Sequence, residues 1–295
     1  MFFNKNKSSS KSCQGSVVII GTSPLAFLLA DITQNNNYKT SILTSLNMSN
    51  LEPNKNINIK YLNTQNHQGS FSLIENISTA PDFCIFAPTL DKLRTDYILA
   101  QNPILKSVPF INFAHIYSSN FFALLDKNIF AYFKGWINLE KNNLTILNKS
   151  PEIKFVCNDK LYNSVCSLFS NSNISISNSD DNKSSFWQNL SSSLLTNLLL
   201  LIHNQDMSTL LLDSQIRNQI DGAIKELCFL AKKEDYHLNS SEILTTIYSV
   251  PNNYQKEIFN SASFLSLLSS LPIINRSETP ILHNLFASAS KKLIV

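Results

Sequence analysis

The residues best placed to do chemistry lie in Val17-Val18-Ile19-Ile20-Gly21-Thr22-Ser23-Pro24-Leu25-Ala26. Four β-branched residues, a glycine, and then Ser-Pro before an apolar-periodic stretch read as a buried strand, a tight turn and a helix start. Such a turn can hold a phosphate, because N–H groups at a helix N-terminus point outward with the positive end of the helix dipole behind them. The full pyrophosphate pattern is G-x-G-x-x-G or A: the first glycine makes the turn, the second lets phosphate approach, and the third position packs helix against strand. Gly21, Ser23 and Ala26 stand at those places. The turn and the packing position are kept, while the phosphate-contact position carries a side chain. Ser23 can cap the helix and Pro24 suits its first turn, leaving the N–H groups of Thr22, Leu25 and Ala26 facing outward. Gly21, Thr22, Ser23, Pro24 and Leu25 are therefore the candidate cofactor-binding residues. The competing reading is a capped structural turn with no ligand.

Other reactive residue types are scattered. His115 follows a predicted strand end, where ligands of open α/β sheets bind, and is either a general acid or a solvated loop histidine. His67, His203, His237 and His283 show no metal-ligand spacing. Five cysteines, Cys13, Cys84, Cys157, Cys166 and Cys228, are odd in number and without C-x-x-C spacing. They fit reduced thiols acting as small buried hydrophobes in a cytoplasmic setting. The net charge of +3 is spread thinly, so no stripe of cations would neutralise a nucleic acid. No apolar run reaches the roughly 18 residues of a membrane span. Lys232-Lys233-Glu234-Asp235 reads as a solvated helix end.

The elements that would position these residues form two groups. At 295 residues with 43% hydrophobic content the chain can bury two cores. Residues 1–15 read as a disordered tail. Strands are predicted at 17–20, 40–43, 58–62, 83–87 and 108–113, with a helix over 25–34, and shorter strands at 130–136, 144–147 and 154–157. A helix over 159–169 and a strand at 174–177 complete an α/β unit spanning 16–180, whose strand–helix alternation implies a largely parallel, doubly wound, Rossmann-like sheet. A polar link at 178–185 follows. Residues 181–295 read as all-helical, with helices over 186–204, 209–233, 241–248, 261–270 and 280–291; the first is apolar nearly all round and should be the buried centre.

This layout, with a buried helix opening Phe186-Trp187 after the link, resembles the ketopantoate reductase (2-dehydropantoate 2-reductase) family from residue 16 onward. The central helix of that family begins W-x-K-L-x-x-N and continues to a second asparagine. Trp187, Leu190 and Asn197 match; Asn189 stands where the family has its catalytic lysine, and Ser193 where it has the first asparagine. The later S-x-L motif is matched by Ser263 and Leu265, while Asn275 falls where a substrate-binding glutamate is expected, and Thr279-Pro280-Ile281 resembles the segment before the last helix. On the cofactor side, Thr44-Ser45 replaces the arginine that takes the 2′-phosphate of NADP, Thr89 falls near a family lysine, and Ala114-His115-Ile116 replaces an asparagine-glycine turn.

The resemblance implies an oxidoreductase of pantothenate biosynthesis that uses NADP, binds a small-molecule substrate at Asn189, Ser193, Asn197, Ser263 and Asn275, and forms a homodimer. The replaced residues leave two readings open. One is a reductase with lost or strongly altered activity; the other is a non-catalytic dimeric or partner-binding protein on the same scaffold.

Overall fold

Strand β1 (Gly15–Ile20) sets the architecture, because its alternate side chains feed two different cores. Val17 and Ile19 join one cluster with the apolar residues of helix α1 (Pro24–Asn35), and Val18 and Ile20 join another with Leu105 and Val108. A strand buried on both faces must be central, and β1 is paired in parallel with β2 (Tyr38–Leu43) and β5 (Phe83–Phe86). The computed structural model describes residues 13–44, 53–62, 66–87, 101–113, 128–148, 150–178, 182–233, 235–252, 254 and 277–293. Residues 1–12 of the predicted 1–15 tail, the helix at 261–270, and Ser45, Thr89, His115, Ser263 and Asn275 lie outside them; the end of that tail is ordered instead, since the Gln14 N–H donates to the Asn37 carbonyl at 3.0 Å and Gly15 opens β1.

The remaining strands are β3 (Asn54–Tyr61), β4 (His67–Ile74), β6 (Phe110–Asn112), β7 (Asn128–Lys134), β8 (Ile137–Glu140), β9 (Asn143–Ile146), β10 (Glu152–Val156) and β11 (Ser175–Asn178). They form one sheet in the order β11-β10-β7-β6-β5-β1-β2-β4-β3-β9-β8. Pairing is parallel except in β3–β4, β7–β10 and β8–β9. Helix α2 (Asp159–Phe169) lies with α1 on one face, where Val165, Leu168 and Phe169 join the cluster around Ile19. A 3₁₀ turn at Pro103–Ser107 supplies Leu105 to the other face.

The helical layer contains α3 (Asn182–His203), α4 (Met207–Leu210), α5 (Ser214–Lys233), α6 (Ser240–Tyr248) and α7 (Pro280–Leu293). Helix α3 is its centre, burying Leu194, Leu195, Leu198, Leu199 and Leu200. Helix α5 buries a single stripe, Ile216, Ile220, Ala223, Ile224, Leu227, Leu230 and Ala231, as an amphipathic surface helix should. At the start of α7 the Glu226 carboxylate accepts from the N–H groups of Ile281 and Leu282 at 2.9 and 2.8 Å, satisfying donors of the first turn from a neighbouring helix.

Several predicted elements are corrected. Strand β4 was not anticipated: only Gly69 and Phe71 of its first six residues are buried, too faint an alternation, and β2 and β3 on either side hold it in place. The predicted strand at 130–136 stops before Gly135, and β8 follows as a separate strand. The helix predicted over 209–233 is broken after Leu210, since Asp206 caps α4 and Asp213 accepts from the Gln215 N–H at 2.7 Å to start α5. The predicted link at 178–185 shrinks at both ends. Asn178 belongs to β11, its amide donating to the Cys157 carbonyl at 3.0 Å, and α3 already starts at Asn182. All five thiols are free, but only Cys84 is buried.

Candidate functional site

The turn after β1 is built as the sequence implies. Gly21 has φ 119°, in the region that favours glycine, and its N–H donates to the Leu43 carbonyl at 3.2 Å. Ser23 caps α1: its hydroxyl accepts from the Ala26 N–H at 3.1 Å and donates to the Ala87 carbonyl at 2.7 Å. That buried hydroxyl therefore joins the helix N-terminus to the chain leaving β5. One expectation fails here, because the Ala26 N–H is bonded to Ser23 and does not face outward. Pro24 has no N–H, so Thr22 and Leu25 are the remaining backbone donors of the predicted set. Beyond β2, the buried Thr44 gives both its N–H and its hydroxyl to the Ile74 carbonyl, at 3.0 and 3.5 Å. It offers neither the cation nor the carboxylate that would read a ribose.

A separate cleft of about 320 Å³ opens where the sheet meets the helical layer. Its sheet side is the end of β7 and the segment leading into β10; its helical side is Gln188, Asn189, Ser192 and Ser193 of α3 and one face of α6 with Ser249 after it. Asn189 and Ser193, one helical turn apart on α3, both line it. Asn197, a further turn along, is buried outside this lining; its amide donates to the Ser193 carbonyl at 2.9 Å and its Oδ1 has no hydrogen-bond partner. The structure thus brings together Asn189 and Ser193, and it places neither Asn197 nor the Gly21–Leu25 turn on the cleft wall.

Two residues absent from the sequence-based site dominate this cleft. The Lys134 ammonium at the end of β7 donates to the Glu242 carboxylate of α6 at 2.9 Å, with both side chains about two-fifths exposed (38% and 42%). Partial burial opposes the charge on Lys134, but the hydrogen bond and charge of Glu242, aided by Tyr132 and Glu152, outweigh it and hold the ammonium above its ordinary range. Glu152 faces Lys134 across the β7–β10 ladder and accepts from the Ser177 hydroxyl at 2.5 Å. The local signal for Lys134 was a charged residue before glycine at the end of an apolar strand. Nothing in linear spacing connects it to Glu242, 108 residues away.

A third polar cluster lies on α1. The buried Asp31 accepts from His67 Nε2 at 2.8 Å and from the Asn35 amide at 3.2 Å, and His67 stacks on Tyr61. Burial raises the Asp31 carboxyl above its ordinary value, against the lowering effect of His67, Asn35 and Tyr61, and burial followed by the Asp31 charge raises the Tyr61 phenol. Among the described residues no group of three or more His, Cys, Asp or Glu is arranged to hold a metal, and no helix is long and apolar enough to cross a membrane.

A largely parallel sheet with a glycine turn and capped helix after its central strand, joined to a helical layer, is a Rossmann-like fold. More narrowly, the chain has the fold of the ketopantoate reductases. A ketopantoate reductase from Ralstonia eutropha superposes with TM-score 0.72 at 14% identity, covering 95% of this chain and 100% of that one. The dimeric ketopantoate reductase of Staphylococcus aureus superposes with TM-score 0.67 at 15% identity, covering 95% and 99%. D-mandelate dehydrogenase, solved with NADH and anilino(oxo)acetate, gives TM-score 0.73 at 10% identity, covering 95% and 98%. No protein-family model and no curated protein sequence matches the chain.

Proposed function

We propose that this chain is a ketopantoate reductase-like protein whose nicotinamide-dependent activity is lost or strongly altered. The observation that carries this reading is Asn189, which lines the cleft from the position where the resemblance expects the catalytic lysine. A neutral amide can donate a hydrogen bond to a keto oxygen, but it supplies neither positive charge nor an easily lost proton as hydride arrives. Losing such a preorganised charge costs roughly 10²- to 10³-fold in rate. A dinucleotide, with NADP the form implied by the resemblance, would be held by the Thr22 and Leu25 N–H groups beside Gly21, Ser23 and Pro24; when bound it would supply the hydride. Asn189, Ser193, Asn197, Ser263 and Asn275 remain the proposed substrate set, in a two-domain chain divided near residue 180. Homodimerisation is proposed from the dimeric Staphylococcus aureus structure, and a cytoplasmic location from the free thiols.

Titration with NADPH and NADH by calorimetry, followed by an assay of ketopantoate reduction, tests the reading. Weak dinucleotide binding with turnover about 10²-fold or more below that of a working ketopantoate reductase is expected. Reduction at an undiminished rate would overturn it. The bond from Ser23 to Ala87 favours the second reading, a non-catalytic dimeric or partner-binding protein, since it gives the phosphate-contact residue a structural task. Absence of any dinucleotide binding at millimolar concentration would select that reading.

A further inference from the structure

We infer that the cleft at Lys134 takes a zwitterion of the amino-acid class, a small ligand bearing both an ammonium and a carboxylate, in preference to a simple 2-oxo acid anion. The inference rests on the reading that this cleft is the substrate site, and it names the substrate class. Among the described residues the charged groups lining the cleft are Lys134, Glu152 and Glu242. With Lys134 and Glu242 paired, the balance is one negative charge.

Four of the lining hydroxyls lean the same way. A hydroxyl has one proton to donate, and those of Ser192, Thr245, Thr246 and Ser249 give theirs to the carbonyls of Gln188, Ser241, Glu242 and Thr246 at 3.0, 2.8, 2.9 and 2.8 Å. What they offer a ligand is lone pairs. Gln188 has its amide nitrogen and oxygen on the Asn239 backbone at 2.8 and 2.9 Å. The α6 side of the cleft is therefore rich in acceptors, and among the described residues the cleft carries its positive charge on Lys134 alone.

A lone carboxylate on Lys134 would bring a third negative charge onto a cleft that already holds Glu152 and Glu242 against one ammonium, and uncompensated like charge in a partly desolvated site is costly. A zwitterion avoids this. Its carboxylate takes Lys134 while its ammonium takes Glu242 and the hydroxyl oxygens of α6, so one ion pair becomes two with no change in net charge. The existing pair is hydrated enough to open at small cost, and about 320 Å³ suits a small ligand.

The test is calorimetry on the full chain with no dinucleotide present, using alanine, serine, valine and phenylalanine in both enantiomers, each beside its 2-oxo acid and its decarboxylated amine. At least one amino acid should bind about tenfold or more tightly than both of its counterparts. Glu242→Gln should shift preference toward the 2-oxo acid and Lys134→Met toward the amine, with circular-dichroism melting confirming that both variants fold. A 2-oxo acid binding as tightly as its amino acid, or no binding by any amino acid, would overturn the inference. Because no dinucleotide is used, either result leaves the reductase reading to be judged separately by the NADPH titration.

Discussion

The turn at Gly21 and the cleft at Lys134 use polar side chains in opposite ways. At the turn Ser23 is buried, and its hydroxyl both accepts from Ala26 and donates to Ala87. Thr44 nearby is likewise committed to a single carbonyl. In the cleft, Lys134 and Glu242 are two-fifths exposed and bonded to each other, and the α6 hydroxyls keep lone pairs in reserve. Groups tied into backbone hydrogen bonds preserve a fold, whereas half-hydrated groups with an exchangeable partner can meet a ligand at low cost. The difference locates structural constraint at the dinucleotide-type turn and chemical capacity at the cleft.

The harshest way to break the comparison is to remove what seats the cleft. Trp187 is 1% exposed in the opening turns of α3, two residues before Asn189. Trp187→Ala should cost about 3–5 kcal/mol by urea denaturation and abolish ligand binding in the cleft. A smaller effect is expected at the turn: Ser23→Ala should cost about 0.5–2 kcal/mol through loss of the cap. Ser23→Gly should cost less as a cap and, by restoring the second glycine, tighten NADPH in the same titration; no tightening would show that Ser23 is not what limits the turn. The smallest change in stability belongs to the groups assigned the most chemistry. Lys134→Met should alter stability by only about 0–1 kcal/mol while changing ligand preference in the cleft, because an ion pair this exposed is screened by water. A loss of several kcal/mol would place Lys134 on the structural side of the comparison.

The turn was legible because its determinants are contiguous. Glycine for a positive φ, serine for the cap and proline for the first helical turn sit within four residues, and β1 and α1 follow from local periodicity. Strand β4 was not legible, since half its surface is polar and its place depends on β2 and β3. The break before α5 has a different reason: apolar periodicity continues through Leu210 and Leu211, and only Asp213 interrupts it. Asn189 and Ser193, singled out by their places in the motif, both line the cleft. Lys134 and Glu242 were not found, because their relationship exists only once β7 and α6 have been brought together by two separate cores.

Trp136 has a mechanical consequence. It leaves the sheet between β7 and β8 and inserts into the helical core, edge-on to Tyr254 with ring centroids 4.7 Å apart, only two residues beyond Lys134. An aromatic dowel from one layer seated in the other resists hinge-like opening, since separation would expose its ring to water at a cost of about 1.5–3 kcal/mol for a side chain of this kind. Closure by rigid-body rocking is correspondingly opposed at this end of the cleft. Recognition there falls to side-chain rotation, with the Lys134–Glu242 pair as the moving part.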